Sequence, residues 1–184
     1  MTRMKLRSII DDKKKARVRG AIEKDDPSML WPKKGRGNEP MILPITRREN
    51  VSPNELAHAN SRLFKGSMIG NPEMIRSALA EGADIETMGA HGETVLTQAC
   101  LHNRRAAVGV LIYAGANLDA KDNTGGTALM AAAANGYKEI VLMLVDAGAD
   151  VNLQDNSGTR ALGFAKMNGH TEIARFLKQN GAKE

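Results

Sequence analysis

Glycine followed by alanine recurs four times at one fixed spacing: Gly82-Ala83, Gly115-Ala116, Gly148-Ala149 and Gly181-Ala182, each pair 33 residues after the last. A constant period of that size marks one small unit repeated along the chain and stacked on its neighbours. It constrains the fold more than any other feature, because every unit must present the same two faces at the same spacing. A stack of this kind offers a long surface rather than a deep pocket.

The period runs through other residue types. Asp84, Asn117 and Asp150 keep step, followed by Ile85, Leu118 and Val151. Leu63, Leu96, Leu129 and Leu162 share one register, and the small residues Gly66, Ala99, Ala132 and Ala165 share another. Gly92, Gly125 and Gly158 mark a third. Gly70, Gly136 and Gly169 mark a fourth, with Asn103 in the remaining slot. Glycine and asparagine tolerate a positive φ, so the glycine slots are expected to be chain reversals.

Aromatic residues make up only 3 % of the 184 residues against 42 % hydrophobic residues overall, so small aliphatic side chains must build the core. That suits thin helical layers packed closely. No apolar run approaches the ~20 residues needed to span a bilayer, and the N-terminus shows no apolar stretch of signal-peptide length. Cys100 is the lone cysteine, so no internal disulfide is expected. The expected location is therefore intracellular, in the cytoplasm, where thiols stay reduced. Cys100 shares its slot with Ala133 and is read as a buried small hydrophobe rather than a reactive thiol.

The third copy displays the unit most clearly. Thr127 is placed to cap a helix whose buried side is Leu129, Ala132 and Ala133. Gly136 ends it. A second helix follows, with Ile140, Val141, Leu144 and Val145 on one stripe. Gly148 stops that helix, and Asp150 to Asn156 turns back as a loop or short hairpin. The succession turn, short helix, glycine, second helix and Gly148-Ala149-Asp150-Val151-Asn152 resembles the ankyrin repeat, over about residues 58–184. The resemblance implies an all-α solenoid of four helix-turn-helix repeats. The expected division is a basic extension over 1–51 and a repeat domain over 52–184. The copies fall at about 52–90, 91–123, 124–156 and 157–184.

The end copies differ. Ser52-Pro53-Asn54-Glu55 reads as a capping box with proline at the first helical position, opening one long helix from about Pro53 to Met68. Asn71-Pro72-Glu73 opens its partner. In the last copy Lys178 stands where Ile112 and Val145 stand in earlier copies, which is the polar outer face a terminal repeat requires. Three departures from the ankyrin pattern occur at the first-helix opening: Thr94-Val-Leu-Thr97, Thr127-Ala-Leu-Met130 and Arg160-Ala-Leu-Gly163 lack the family's proline and histidine. Arg160 also forfeits the capping threonine.

The resemblance implies binding through loop tips and the outward side of the first helices, which together line a concave face. Carried over by register, that face holds His58, Met68 and Ile69 in the first copy, and His91, Glu93, Leu101 and His102 in the second. It continues with Asn123, Thr124 and Asn135, then Asn156, Ser157, Thr159, Met167 and Asn168. Met68, Ile69, Leu101 and Met167 are apolar at positions that normally face solvent, a mark of an interaction site. The competing expectation is that each tucks against the next repeat.

Charge is divided unevenly. Residues 1–57 hold 14 Lys and Arg against 8 Asp and Glu, whereas the remainder holds 12 against 13. The extension carries Lys13, Lys14, Lys15, Arg17, Arg19, Lys33, Lys34 and Arg36 as candidate contacts. Residues 3–24 are expected to form a helix, and Pro27 to Arg48 an extended chain. Trp31 lies amid Met29, Leu30, Met41, Ile42, Leu43 and Ile45, more apolar anchors than a free tail carries. The expected partner of this extension is an acidic protein or RNA, whose phosphates attract clustered Lys and Arg. Interspersed Asp11, Asp12, Glu23, Asp25 and Asp26 weigh against RNA.

No residue pattern supports catalysis. His91 and His102 fall in one copy, but no cysteine or carboxylate completes a metal set, and all four histidines, His58, His91, His102 and His170, are read as structural rather than as ligands or titrating groups. Gly125-Gly126 lacks the strand and lysine of a phosphate loop. The expected function is a non-catalytic protein-binding module or adaptor, without cofactor, metal or membrane insertion, working within a larger complex. The alternative is a constitutive structural subunit of a ribonucleoprotein or viral assembly.

Overall fold

A computed structural model describes residues 52–184. The expected helix over 3–24, the extended stretch from Pro27 to Arg48 and the candidate contacts from Lys13 to Arg36 lie outside the described residues. Within them the chain forms eight helices in four pairs. The pairs are α1 (Pro53–Ile69) with α2 (Pro72–Ala80), α3 (Val95–Leu101) with α4 (Arg105–Ala114), α5 (Ala128–Ala134) with α6 (Lys138–Ala147), and α7 (Ala161–Met167) with α8 (Thr171–Gln179). Among these residues extended pairing is limited to one isolated antiparallel bridge between Met88 and Thr94.

Each boundary has a local cause. The Ser52 side chain accepts the Glu55 N–H at 3.3 Å while the Glu55 carboxylate accepts the Ser52 N–H at 2.9 Å, which closes the capping box of α1. Asn71 Oδ1 accepts the Met74 N–H at 3.0 Å and starts α2. Thr94 and Thr127 cap α3 and α5 through the N–H groups of Thr97 and Met130. Arg160 makes no such bond at the start of α7. Between paired helices, Gly70, Asn103, Gly136 and Gly169 all take positive φ, from 55° to 80°, and Asn103 is the only non-glycine residue to do so among those described. Gly148 ends α6 at φ 104°, in the left-handed form expected of it.

The core is one continuous layer of small and medium side chains. Leu63, Leu96, Leu129 and Leu162 are all essentially buried, as are Ala99, Ala132 and Ala165 beside them. Ile140, Val141, Leu144 and Val145 form the buried stripe of α6. Cys100 is fully buried, and burial pushes its thiol well above the ordinary range. The long α1 packs on both α2 and α3; α3 packs on α5 and α5 on α7. The second helices α2, α4, α6 and α8 form a parallel row in looser contact. At the far end Lys178 is exposed, as a terminal polar face requires.

Candidate functional site

Two edges of the first-helix row carry the candidate residues. The first is the line of loop tips preceding α3, α5 and α7. In each tip the chain doubles back and is closed by a backbone bond, Gly89 N–H to Glu93 O, Asp122 N–H to Gly126 O, and Asp155 N–H to Thr159 O, at 2.8, 2.9 and 3.0 Å, beside a second, tighter turn bond from Gly92, Gly125 and Gly158. In the third and fourth copies an aspartate organises the turn. Asp122 Oδ1 accepts from the N–H groups of Thr124 and Gly126, both at 2.8 Å, and from the Thr124 hydroxyl at 2.7 Å. Asp155 repeats this with Ser157 and Thr159. Those bonds, the Ser157 hydroxyl foremost, hold the Asp155 carboxyl below the usual carboxylate range.

The second copy has Gly89 in that slot, and Glu93 takes over the task. Its carboxylate accepts the His91 N–H at 2.9 Å and fills the space where a side chain on residue 89 would lie. Glu93 is half-buried, so the tip spends on its own turn a group expected to face a partner. Neighbouring tips are joined: Asn123 N–H donates to His91 O at 3.1 Å, Asn156 N–H to Thr124 O at 2.9 Å, and Asn156 Nδ2 to Asn123 O at 3.1 Å. The side chains of Asn123, Thr124, Asn156 and Ser157 are exposed on this ladder, Thr159 is half-buried, and His91 is exposed at its near end.

The second edge lies at the other end of the first helices, about 10 Å away for a seven-residue helix. Met68, Leu101, Ala134 and Met167 are the same slot, the final turn of α1, α3, α5 and α7. Met68 is 37 % exposed, Leu101 40 % and Met167 66 %, with Ile69 beside them at 43 %. Met68, Ile69 and Leu101 are thus part covered and part open to solvent, and Met167, in the last described copy, is the most exposed of the four. His102, Asn135 and Asn168 follow them and are exposed. Asn135 Nδ2 bonds Ala131 O at 2.8 Å, and Asn168 Nδ2 bonds Ala134 O at 2.9 Å. His58 is exposed on α1, one period before His91.

Residues from the following copy pin this second edge. Arg104 Nε donates to Met68 O at 2.9 Å, and the His170 ring nitrogen Nε2 lies 3.1 Å from Ala134 O. Both pairs are 36 residues apart, so one register position makes the same inter-repeat bond with different side chains. A third ladder, on the loops after the second helices, was not foreseen. The N–H groups of Asn117, Asp150 and Lys183 donate to the side-chain oxygens of Glu86, Asp119 and Asn152, at 2.7 to 2.9 Å. In the first copy Asn60 on α1 supplies the acceptor, taking the Asp84 N–H at 2.8 Å.

Among the described residues no group of three His, Cys, Asp or Glu is placed to hold a metal ion, and no helix is long and apolar enough to cross a membrane. Compared with known protein families, residues 63–155 match ankyrin repeats (3 copies), and residues 138–177 match ankyrin repeats (many copies). No curated protein matches the chain.

Proposed function

The chain belongs to the ankyrin repeat family, and from that premise we propose that it holds a protein partner on the face between its loop tips and first-helix ends. Proteins of this family are generally protein–protein interaction modules and typically not catalysts. The finer reading rests on one observation: large apolar side chains occupy the same exposed slot in three of four copies, at Met68, Leu101 and Met167, with Ile69 adjoining. Scattered exposed apolar residues mean little, but a register-matched line is what an interface core requires. First helices contact one another more closely than second helices do, which supports reading this side as the concave one. The exposed tips, His91, Asn123, Thr124, Asn156 and Ser157, supply the polar rim. The basic extension adds a second contact, through Lys13 to Arg19 and Lys33 to Arg36, to an acidic protein surface. A tethered second contact raises affinity without enlarging the first.

The test begins with crosslinking the full chain to its partner in cells and identifying that partner. The purified partner is then titrated against the native chain and the double variant L101S/M167S. Loss of two central apolar contacts is expected to weaken binding about tenfold or more with the melting temperature unchanged. Unchanged affinity with a lowered melting temperature would show these side chains to be structural and would refute the reading.

A further inference from the structure

The near end of the exposed apolar edge carries positive charge. Lys65 lies one helical turn before Met68 and Ile69 on the same side of α1. Arg104 comes from the next copy, its Nε fixed on Met68 O. Among the described residues, neither Lys65 nor Arg104 meets a carboxylate. Met68, Ile69 and Leu101 thus form an apolar strip edged by two exposed cations. The complement of such a strip is a short segment in which carboxylates precede bulky apolar residues.

The chain itself contains that segment. Glu23, Asp25 and Asp26 are followed by Met29-Leu30-Trp31, inside an extension otherwise dominated by Lys and Arg. We propose that residues 23–31 of this chain lie across the near end of its own binding face, with Met29 to Trp31 over Met68, Ile69 and Leu101. The carboxylates of Asp25 and Asp26 face Arg104 and Lys65. This rests on the reading of that strip as an interface. Reach permits it. The extension joins the fold at Ser52, and the strip lies at the opposite end of α1, a 17-residue helix of about 25 Å at 1.5 Å per residue. The 21 residues from Trp31 to Ser52 span up to about 70 Å when extended, whereas the apolar group Met41 to Ile45, between 11 and 7 residues away, reaches about 40 to 25 Å. Met29 to Trp31 is therefore the apolar group with the larger margin of length, and the one preceded by a cluster of carboxylates. A partner then displaces this segment, and the basic clusters on either side of it, Lys13 to Arg19 and Lys33 to Arg36, become its second contact.

Trp31 is the sole tryptophan and reports on the contact directly. Its emission and its quenching by acrylamide are measured in the full native chain, in L101S, in R104Q and in D25N/D26N. The last variant alters nothing in the described fold, so it stays informative should L101S or R104Q destabilise the stack. Expected is a blue-shifted, protected Trp31 in the native chain. Each variant loses the blue shift, and added salt weakens protection in the native chain. D25N/D26N also binds the partner more tightly, whereas L101S binds it less tightly. A Trp31 as exposed as a free tryptophan amide overturns the proposal, and so does protection that survives all three variants. Protection that vanishes on dilution assigns the strip to a second copy and overturns it equally. In none of these cases is the L101S/M167S effect on partner binding touched, so the broader reading is judged separately.

Discussion

The two ends of the stack are closed by different physics. At the start, a capping box and an asparagine cap satisfy the first N–H groups of α1 and α2. Arg62 ties the pair together, donating to both oxygens of Glu81 at 2.7 and 2.6 Å and to Ser77 at 3.1 Å. At the other end, α7 opens at Arg160 with no side-chain cap. Arg160 reaches instead to Asn152 O at 3.2 Å and Glu184 O at 2.9 Å, and Lys166 and Lys178 pair with the Glu184 side chain. Solvent-exposed ion pairs contribute little to stability, whereas a cap contributes about 1 kcal/mol. The first end is therefore closed by bonds that hold helices, and the last by bonds that trim a surface. In a one-dimensional stack, where each copy leans only on its neighbours, the weaker end opens on its own.

The largest effect that probes this contrast comes from one leucine-to-alanine truncation in the core at each end. Leu63 and Leu177 are both fully buried, and replacing either by alanine is expected to cost about 2–5 kcal/mol locally. L63A should lower the denaturation midpoint of the whole stack. L177A should instead produce an early, separate loss of helical signal, because the last copy detaches first. Equal midpoint shifts measured by circular dichroism in urea would break the comparison.

A smaller effect is expected from supplying the absent cap. R160T should stabilise the last copy by about 1 kcal/mol, less what its bonds to Asn152 and Glu184 contribute, while S52A should weaken the first end by a similar amount. Native-state exchange of amides in α7 and α1 reads both changes.

Smaller still is the acid response. Hydrogen bonds from Lys166 and then Lys178 hold the Glu184 carboxyl down to about 2, against an ordinary glutamate value of about 4.3. A lowered folded-state value means the pairing stabilises above the ordinary value and is lost as pH falls from about 4.3 toward 2. Glu81 behaves in the same direction, lowered first by its bond from Arg62. E184Q should reduce the acid sensitivity of the last copy to the part that Glu172 carries, whose carboxyl is also held low by its bond from Lys138, and leave that of α1 and α2 in place, as followed by amide exchange between pH 5 and 3, a range chosen to cover about 4.3.

Much of this architecture was legible in the residues. The 33-residue period fixed the copies, and Asn103 in a glycine slot announced a positive φ that the fold requires there. Ser52, Asn71 and Thr127 announced their helices because capping is a local act, settled within three residues. The inter-repeat ladders were not legible. Glu86, Asp119 and Asn152 share only an oxygen acceptor, and Arg104 and His170 share only a ring or fork nitrogen, so residue identity hides the common role. Their partners lie 31 to 36 residues away, beyond the range of any local pattern. Glu93 was placed on the binding face for the same reason: its slot gave its position, but only the fold reveals that it repairs the turn left without an aspartate at Gly89. The apolar edge was visible as an anomaly of register, and the structure adds that its members remain exposed.

The most direct measurement of the central claim, that stability is laid down copy by copy from a firm start to a loose end, is residue-resolved hydrogen exchange under native conditions on the full chain. The amides of Ile173 to Leu177 should exchange through a local opening that leaves Leu63, Ile75, Leu96 and Leu129 protected up to global unfolding. Residues 157–180 emerging as the best-protected stretch, or a single uniform exchange free energy across all four copies, would contradict it.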